Sequence, residues 1–156
     1  MRRLIILVMT HGAVFIGGFA LGVFLLPILI APDSPDAGEL REKAQGALYT
    51  AEFTRELSGS DFLHWGEGKV SLTASEIVHE GSLAPGPDYK LYLVDRFVDA
   101  EAGFEAAKNN AVRIGDVKTF DGFLVTVPDG IDISAYNTVL VWCESFSEFI
   151  TAAKYR

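Results

Sequence analysis

Few side chains in this sequence are suited to redox or metal chemistry. There is one cysteine, Cys143, and there are three histidines, His11, His64 and His79. His11 and Met9 lie inside an uncharged apolar run and Met1 precedes it, so an aqueous domain keeps only Cys143, His64 and His79. Two histidines and a cysteine form the type of set that holds blue copper, but geometry rather than residue type makes a metal site. Such sites carry a histidine within a few residues of the cysteine, whereas Cys143 is followed by Glu144-Ser145-Phe146. Copper is therefore not expected, and nothing marks His64 or His79 as a haem ligand.

Other catalytic constellations are missing. Zinc-type Cys/His spacing, a phosphate loop and a GxSxG elbow do not occur. Gly66-Glu67-Gly68 lacks the third glycine and the helix of a dinucleotide site, which leaves it as turn or bulge chemistry. The acidic pairs Glu76/Glu80 and Glu144/Glu148 read as solvated faces among 21 acidic residues. No stand-alone catalytic activity is expected, and no cofactor is named by the residues.

In an oxidising compartment one cysteine makes no internal disulfide, so Cys143 is a buried inert residue, a link to another molecule or a functional free thiol. Free cysteine commonly packs as a small hydrophobe, and reactivity requires exposure and a lowered pKa. Along Thr138 to Cys143 the alternation puts Val139, Val141 and Cys143 on one strand face and Leu140 and Trp142 on the other. Both faces are apolar, as in a central strand.

The elements that position this strand follow from the rest of the chain. From Leu4 to Ala31 no Asp, Glu, Lys or Arg occurs, a run long enough for the ~30 Å hydrocarbon layer of a bilayer. It is about twice the apolar core of a secretory signal, and Pro32 makes a poor cleavage junction, so it reads as an uncleaved anchor through residues 4–31. Arg2 and Arg3 favour a cytoplasmic N-terminus, which puts the remaining chain on the outer face as a single-pass protein. Two of the 13 basic residues precede the run, leaving 11 against 21 acidic ones, a net of −10. That balance and the lack of a basic stripe exclude nucleic acid as a partner.

Three regions are expected: a transmembrane anchor over 1–31, a linker or stalk over 32–58, and a β domain over 59–156. Leu40, Ala44, Ala47, Leu48 and Ala51 recur at helical spacing, which predicts a short helical stalk between Gly38 and Leu57. From Ser58 the texture changes to short apolar runs between glycine, proline and acidic turns, the pattern of an all-β, antiparallel, sandwich-like domain of seven to nine strands. Strands are expected at Phe62–Trp65, Lys69–Ala74, Ile77–Leu83, Tyr89–Asp95, Ala111–Ile114, Asp116–Phe120, Gly122–Val127 and Thr138–Cys143. Ala84-Pro85-Gly86-Pro87-Asp88 is a rigid loop, and Arg96 to Asn110 is an excursion with helical propensity expected on the surface. Phe146 to Ala153 fits helix or strand.

With these residues in order, the chain resembles the DM13 domain family from about Gly59 to Lys154. The resemblance is carried by His64 and Gly68, by Gly86-Pro87-Asp88 before the strand at Tyr89, by Ile114-Gly115 with Val117-Lys118, and by Val127-Pro128. It is most specific at Trp142-Cys143-Glu144-Ser145-Phe146, which looks like the terminal Trp-Cys-x-x-Phe signature, followed by Phe149 and Ala153. The resemblance implies a sandwich-like extracytoplasmic module for electron transfer, with Cys143 as the candidate redox thiol. A lone thiol needs a partner, so a mixed disulfide, a sulfenate or ligation to a partner's metal would complete it. The alternative is an envelope binding module in which Cys143 is a structural core residue and the loops carry the function.

Overall fold

The computed structural model describes residues 1–156. Helix α1 (Arg2–Ile30) is the apolar run, and it is the one helix long and apolar enough to cross a membrane. Its 29 residues extend about 43 Å, more than a bilayer's hydrocarbon layer requires. A second helix, α2 (Ala37–Lys43), begins at Asp36, whose carboxylate accepts the N–H groups of Gly38 at 2.7 Å and Glu39 at 2.9 Å.

Beyond α2 the chain departs from the expected stalk. The helix stops at Lys43, and Tyr49–Phe53 form strand β1. The helical spacing of Leu48 and Ala51 is overridden by a period-two pattern: Tyr49, Ala51 and Phe53 turn inward while Thr50 and Glu52 face out. Register against the next strand, Phe53↔Gly68 and Tyr49↔Leu72, supplies the hydrogen bonds that a helix would have made internally.

Seven further strands follow: β2 (Gly66–Leu72), β3 (Glu76–Leu83), β4 (Tyr89–Val94), β5 (Val112–Val117), β6 (Phe123–Thr126), β7 (Thr138–Cys143) and β8 (Glu148–Lys154). They make two antiparallel four-stranded sheets, ordered β1-β2-β3-β6 and β5-β4-β7-β8. The expected β-sandwich is therefore present with eight strands. Some boundaries differ. Phe62–Trp65 is loop, held by Asp61, whose carboxylate accepts the N–H groups of Leu63 and His64. Gly66-Glu67-Gly68 lies within β2, where Gly68 has φ +116° and its Cα face abuts Gly81 and the Glu80 carbonyl, leaving no room for a side chain. The two short strands expected around Gly115 are one strand, β5, whose register against β4 shifts between Leu91 and Tyr92 and so absorbs the irregularity. Phe146 to Ala153, open between helix and strand by periodicity, is resolved by pairing: Glu148–Lys154 lie along β7 as β8.

The core has two parts. Between the sheets pack Phe53, Val70, Leu72, Ile77, Leu91, Leu93, Val139, Val141 and Ile150, with Cys143 at the margin. On the outer face of the second sheet, Tyr92, Val94, Leu140, Trp142, Phe149 and Ala152 form a separate cluster. The Arg96–Asn110 excursion covers this second cluster. Its helix α3 (Glu101–Ala107) buries Phe104 and Ala107 against the sheet, so an insertion expected on the surface supplies a third layer. The reason is the apolar back of β7: a strand with two apolar faces exposes one unless something lies over it.

His79 sits fully buried in β3 with its ring against Phe53 and Phe123 at centroid distances of 5.3 and 4.9 Å. Its Nε2 is 3.0 Å from the Glu67 carbonyl, which only accepts, so Nε2 carries the proton. Burial brings its pKa down to about 4 from an ordinary 6.5. Between those values the unfolded chain binds the proton and the folded chain does not. Stability should therefore rise with pH from about 4 to 6.5 by about 3 kcal/mol from this residue. Urea unfolding at pH 7 and pH 4.5 should show a smaller loss in a His79→Leu chain than in the native one. Truncating Phe104 to Ala should cost about 3 kcal/mol in the same assay, because α3 then loses its only large buried side chain.

Candidate functional site

The Cys143 side chain reaches its position through the β4–β7 ladder. Both strands are interior to their sheet, and the ladder runs from Val94↔Thr138 to Tyr89↔Cys143. Cys143 is the last residue of β7 and faces inward with Val139 and Val141, so the sulfur lies at one rim of the sandwich. It is 3% exposed. Above it opens a cavity of about 630 Å³ bordered by Leu63, His64, Pro85, Pro87, Tyr89 and Phe146. Phe19 and Phe24 of α1 also border it and remain exposed. Phe146 and Leu63 are each half exposed, so the thiol is covered by a thin apolar rim.

Asp88 holds this rim together. Its Oδ2 accepts the Ser145 hydroxyl at 3.0 Å and its backbone carbonyl accepts the Glu144 N–H at 3.0 Å. The Gly86-Pro87-Asp88 loop is thereby tied to the turn that follows Cys143, in which Ser147 takes φ 54°. Asp88 Oδ1 lies 2.6 Å from Lys90 Nζ, and this contact holds its carboxyl below the ordinary range despite some desolvation. Gly86 is required by close approach, since a Cβ there would overlap the Tyr89 ring. Lys90 also reaches Asp116 at 3.1 Å, extending the clamp to β5.

His64 stands beside the mouth with its Nδ1 3.1 Å from Asp61 Oδ2, so that nitrogen donates. Burial raises the Asp61 pKa, but His64 and the backbone N–H groups of Leu63 and His64 outweigh it and leave the carboxyl below its usual range. Of the residues singled out by sequence, His64, Gly86, Pro87, Asp88 and Phe146 thus gather around Cys143. Gly68 and Trp142 do not. Gly68 belongs to the β2 irregularity on the other sheet, and Trp142 lies on the opposite face of β7 in the outer cluster. His79 is apart from both, within the core, so the two histidines and the cysteine do not converge.

Burial pushes the Cys143 thiol above its ordinary pKa, although backbone N–H groups of Phe146, Asp88 and Ser145 oppose the shift. It is therefore a protonated thiol at neutral pH. A second group escaped the sequence reading. Tyr92 donates its hydroxyl to Glu144 Oε1, and Lys108 Nζ lies 2.7 Å from Glu144 Oε2. Desolvation raises the Glu144 pKa, but Lys108 and Tyr92 outweigh it and hold the carboxyl below its ordinary range, while burial raises the Tyr92 hydroxyl. Glu144 is one of many acidic residues and Lys108 lies 36 positions away, so only strand register and α3 reveal the group.

A family model described as Electron transfer DM13 matches residues 56–155, close to two thirds of the chain. The chain belongs to the DM13 family. Membership gives the domain a general role related to electron transfer. No curated protein and no solved structure matches the chain. The match to DM13 begins after β1, so that strand is added to the sandwich from outside the matched residues.

The geometry sets an expectation for thiol chemistry. Maleimide labelling of native Cys143 at pH 7 should be slow and should accelerate as pH rises toward the elevated pKa. Phe146→Ala, which opens the rim, should be labelled several-fold faster with an unchanged urea midpoint. Equal rates in the two proteins would show that the rim does not gate the sulfur.

Proposed function

We propose that this protein is a single-pass, membrane-anchored, extracytoplasmic electron-transfer accessory that uses Cys143 together with a protein partner. Residues 1–31 act as the anchor, 32–58 as the linker that also lends β1, and 59–156 as the redox module. Arg2 and Arg3 ahead of the apolar helix support an outward-facing domain. The observation that carries the reading is the rim position of Cys143 beneath the mouth bordered by Pro87, Tyr89 and Phe146. A core cysteine at mid-strand would be beyond the reach of any partner; this one is separated from the outside by a few apolar side chains.

A partner seated on the mouth displaces water and brings its own group to the sulfur. With a partner disulfide the exchange is balanced: the Cys143 thiol loses its proton and bonds to one partner sulfur, and the other leaves as a thiolate that takes up a proton. The high thiol pKa keeps Cys143 protonated and unreactive until such contact is made. This suits an accessory that must not react with small oxidants.

A second reading has its own support. The 3% exposure and raised pKa of Cys143 fit a structural core residue, with binding carried by the Gly86-Pro87-Asp88 loop. The two readings part in membranes from cells quenched with a thiol-blocking reagent and run on non-reducing gels. The electron-transfer reading expects a reductant-sensitive adduct that is absent with Cys143→Ser. No adduct, together with full function of a Cys143→Ala chain, would overturn it.

A further inference from the structure

Tyr92, Glu144, Lys108 and Trp142 form a group on the back of the second sheet that the thiol role does not use. Trp142 and Phe104 pack at a tilt of 50° with ring centroids 4.8 Å apart, and Phe104 meets Tyr92 edge-on at 5.0 Å. These three rings lead from the buried centre of the outer cluster to a hydroxyl whose partner carboxylate is partly open to solvent. We propose that Tyr92 is a redox-active tyrosine: a one-electron site in which Glu144 takes the phenolic proton and Trp142 and Phe104 provide the path inward.

The chemistry follows from where charge can go. Removing an electron from a tyrosine makes its hydroxyl strongly acidic, so oxidation is favourable only where a base stands ready to accept the proton. Tyr92 meets that condition through Glu144 Oε1. Among the five tyrosines it alone has a carboxylate partner: the Tyr155 hydroxyl donates to the Ile133 carbonyl, which cannot hold a proton, and Tyr49, Tyr89 and Tyr136 have no hydroxyl partner. The step is balanced as Tyr92–OH with the Glu144 carboxylate giving a neutral Tyr92 radical and a protonated Glu144. The electron passes to a one-electron acceptor, chemically a high-potential metal centre of a partner protein. Reduction returns the electron to Tyr92 and the proton from Glu144.

Lys108 decides where the hole rests. Its ammonium lies 5.3 Å from the Trp142 ring centroid, 5.8 Å from that of Phe104 and 6.0 Å from that of Tyr92. A cation at that distance attracts a neutral ring and repels a positively charged one. The Trp142 indole N–H is buried with no partner, so an oxidised Trp142 has no base to receive its proton and must remain cationic beneath Lys108. Tyr92 instead sheds its charge through Glu144 and becomes neutral. The hole therefore passes through Trp142 only transiently and settles on Tyr92.

This inference rests on the electron-transfer character of the domain and not on Cys143. It is tested on the full chain in detergent micelles, photo-oxidised with a ruthenium tris-bipyridyl complex and an irreversible electron quencher, and read by electron paramagnetic resonance and transient absorption. A tyrosyl signal is expected in the native chain and in Tyr155→Phe, and should fall about tenfold in Tyr92→Phe, which keeps the ring in its cluster. Glu144→Gln should slow radical formation by about a hundredfold and abolish its deuterium isotope effect, since the proton acceptor is gone. An undiminished signal in Tyr92→Phe, or an unchanged rate in Glu144→Gln, overturns the proposal. Should Tyr92→Phe fail to fold, the Glu144→Gln rate and isotope effect decide alone. A Cys143→Ser chain should keep the Tyr92 radical, because the sulfur faces the inter-sheet core and Tyr92 the outer cluster. Loss of the Cys143-dependent adduct with the radical intact removes the thiol reading alone, and loss of the radical with the adduct intact removes this one.

Discussion

The pairing of β4 with β7 is the constraint on which the rest of the molecule depends. Six residue pairs, from Val94↔Thr138 to Tyr89↔Cys143, hold the two strands side by side in the middle of their sheet. Because each strand alternates its side chains, this one ladder builds two interiors at once. One face gives Tyr89, Leu91, Leu93, Val139, Val141 and Cys143 to the inter-sheet core. The other gives Tyr92, Val94, Leu140 and Trp142 to a second cluster, which requires α3 as a lid. A one-residue slip would exchange the two sets and put Trp142 into the mouth in place of the thiol.

Both chemically interesting groups are products of that ladder, and they lie on opposite sides of it. At the end where β4 begins and β7 stops, the Gly86-Pro87-Asp88 loop and the Glu144–Ser147 turn come together, and Asp88 joins them through Ser145 and Glu144. Glu144 is the hinge between the two sites. Its backbone N–H braces the rim over Cys143, while its carboxylate turns to the other face to meet Tyr92 and Lys108. The two sites thus share one residue while their side chains face different interiors.

Helix α1 adds a further relation. A bilayer's hydrocarbon layer takes about 20 residues of helix, and the 29 residues of α1 exceed that length by roughly two turns. Phe24 lines the Cys143 mouth, and Pro27 shares a crevice with Gly86 and Pro87. Pro27 is the one buried residue of α1, while the apolar residues around it, from Phe24 to Ile30, stay exposed, so the helix keeps an apolar surface that a bilayer could cover.

Much of this was legible in the residues. The apolar run of Leu4 to Ala31 determined a helix able to span a membrane, because length and lack of charge suffice. Alternation along Thr138 to Cys143 determined which face carries the thiol and which the indole, because side-chain direction in a strand is local geometry. The Trp-Cys-x-x-Phe pattern with its companions determined the family. Tertiary structure decided what depends on partners distant in sequence. Tyr49–Phe53 became a strand because β2 offered an edge, Phe146–Ala153 became β8 because β7 lay alongside, and the Arg96–Asn110 excursion folded inward because the back of β7 needed cover. The same holds for the sites: His64 comes to the mouth while His79 goes to the core, and Tyr92 meets a carboxylate 52 residues away and, through it, a lysine at the C-terminal end of α3. Local pattern fixes the direction of a side chain; what it meets there is set by how the sheets pack.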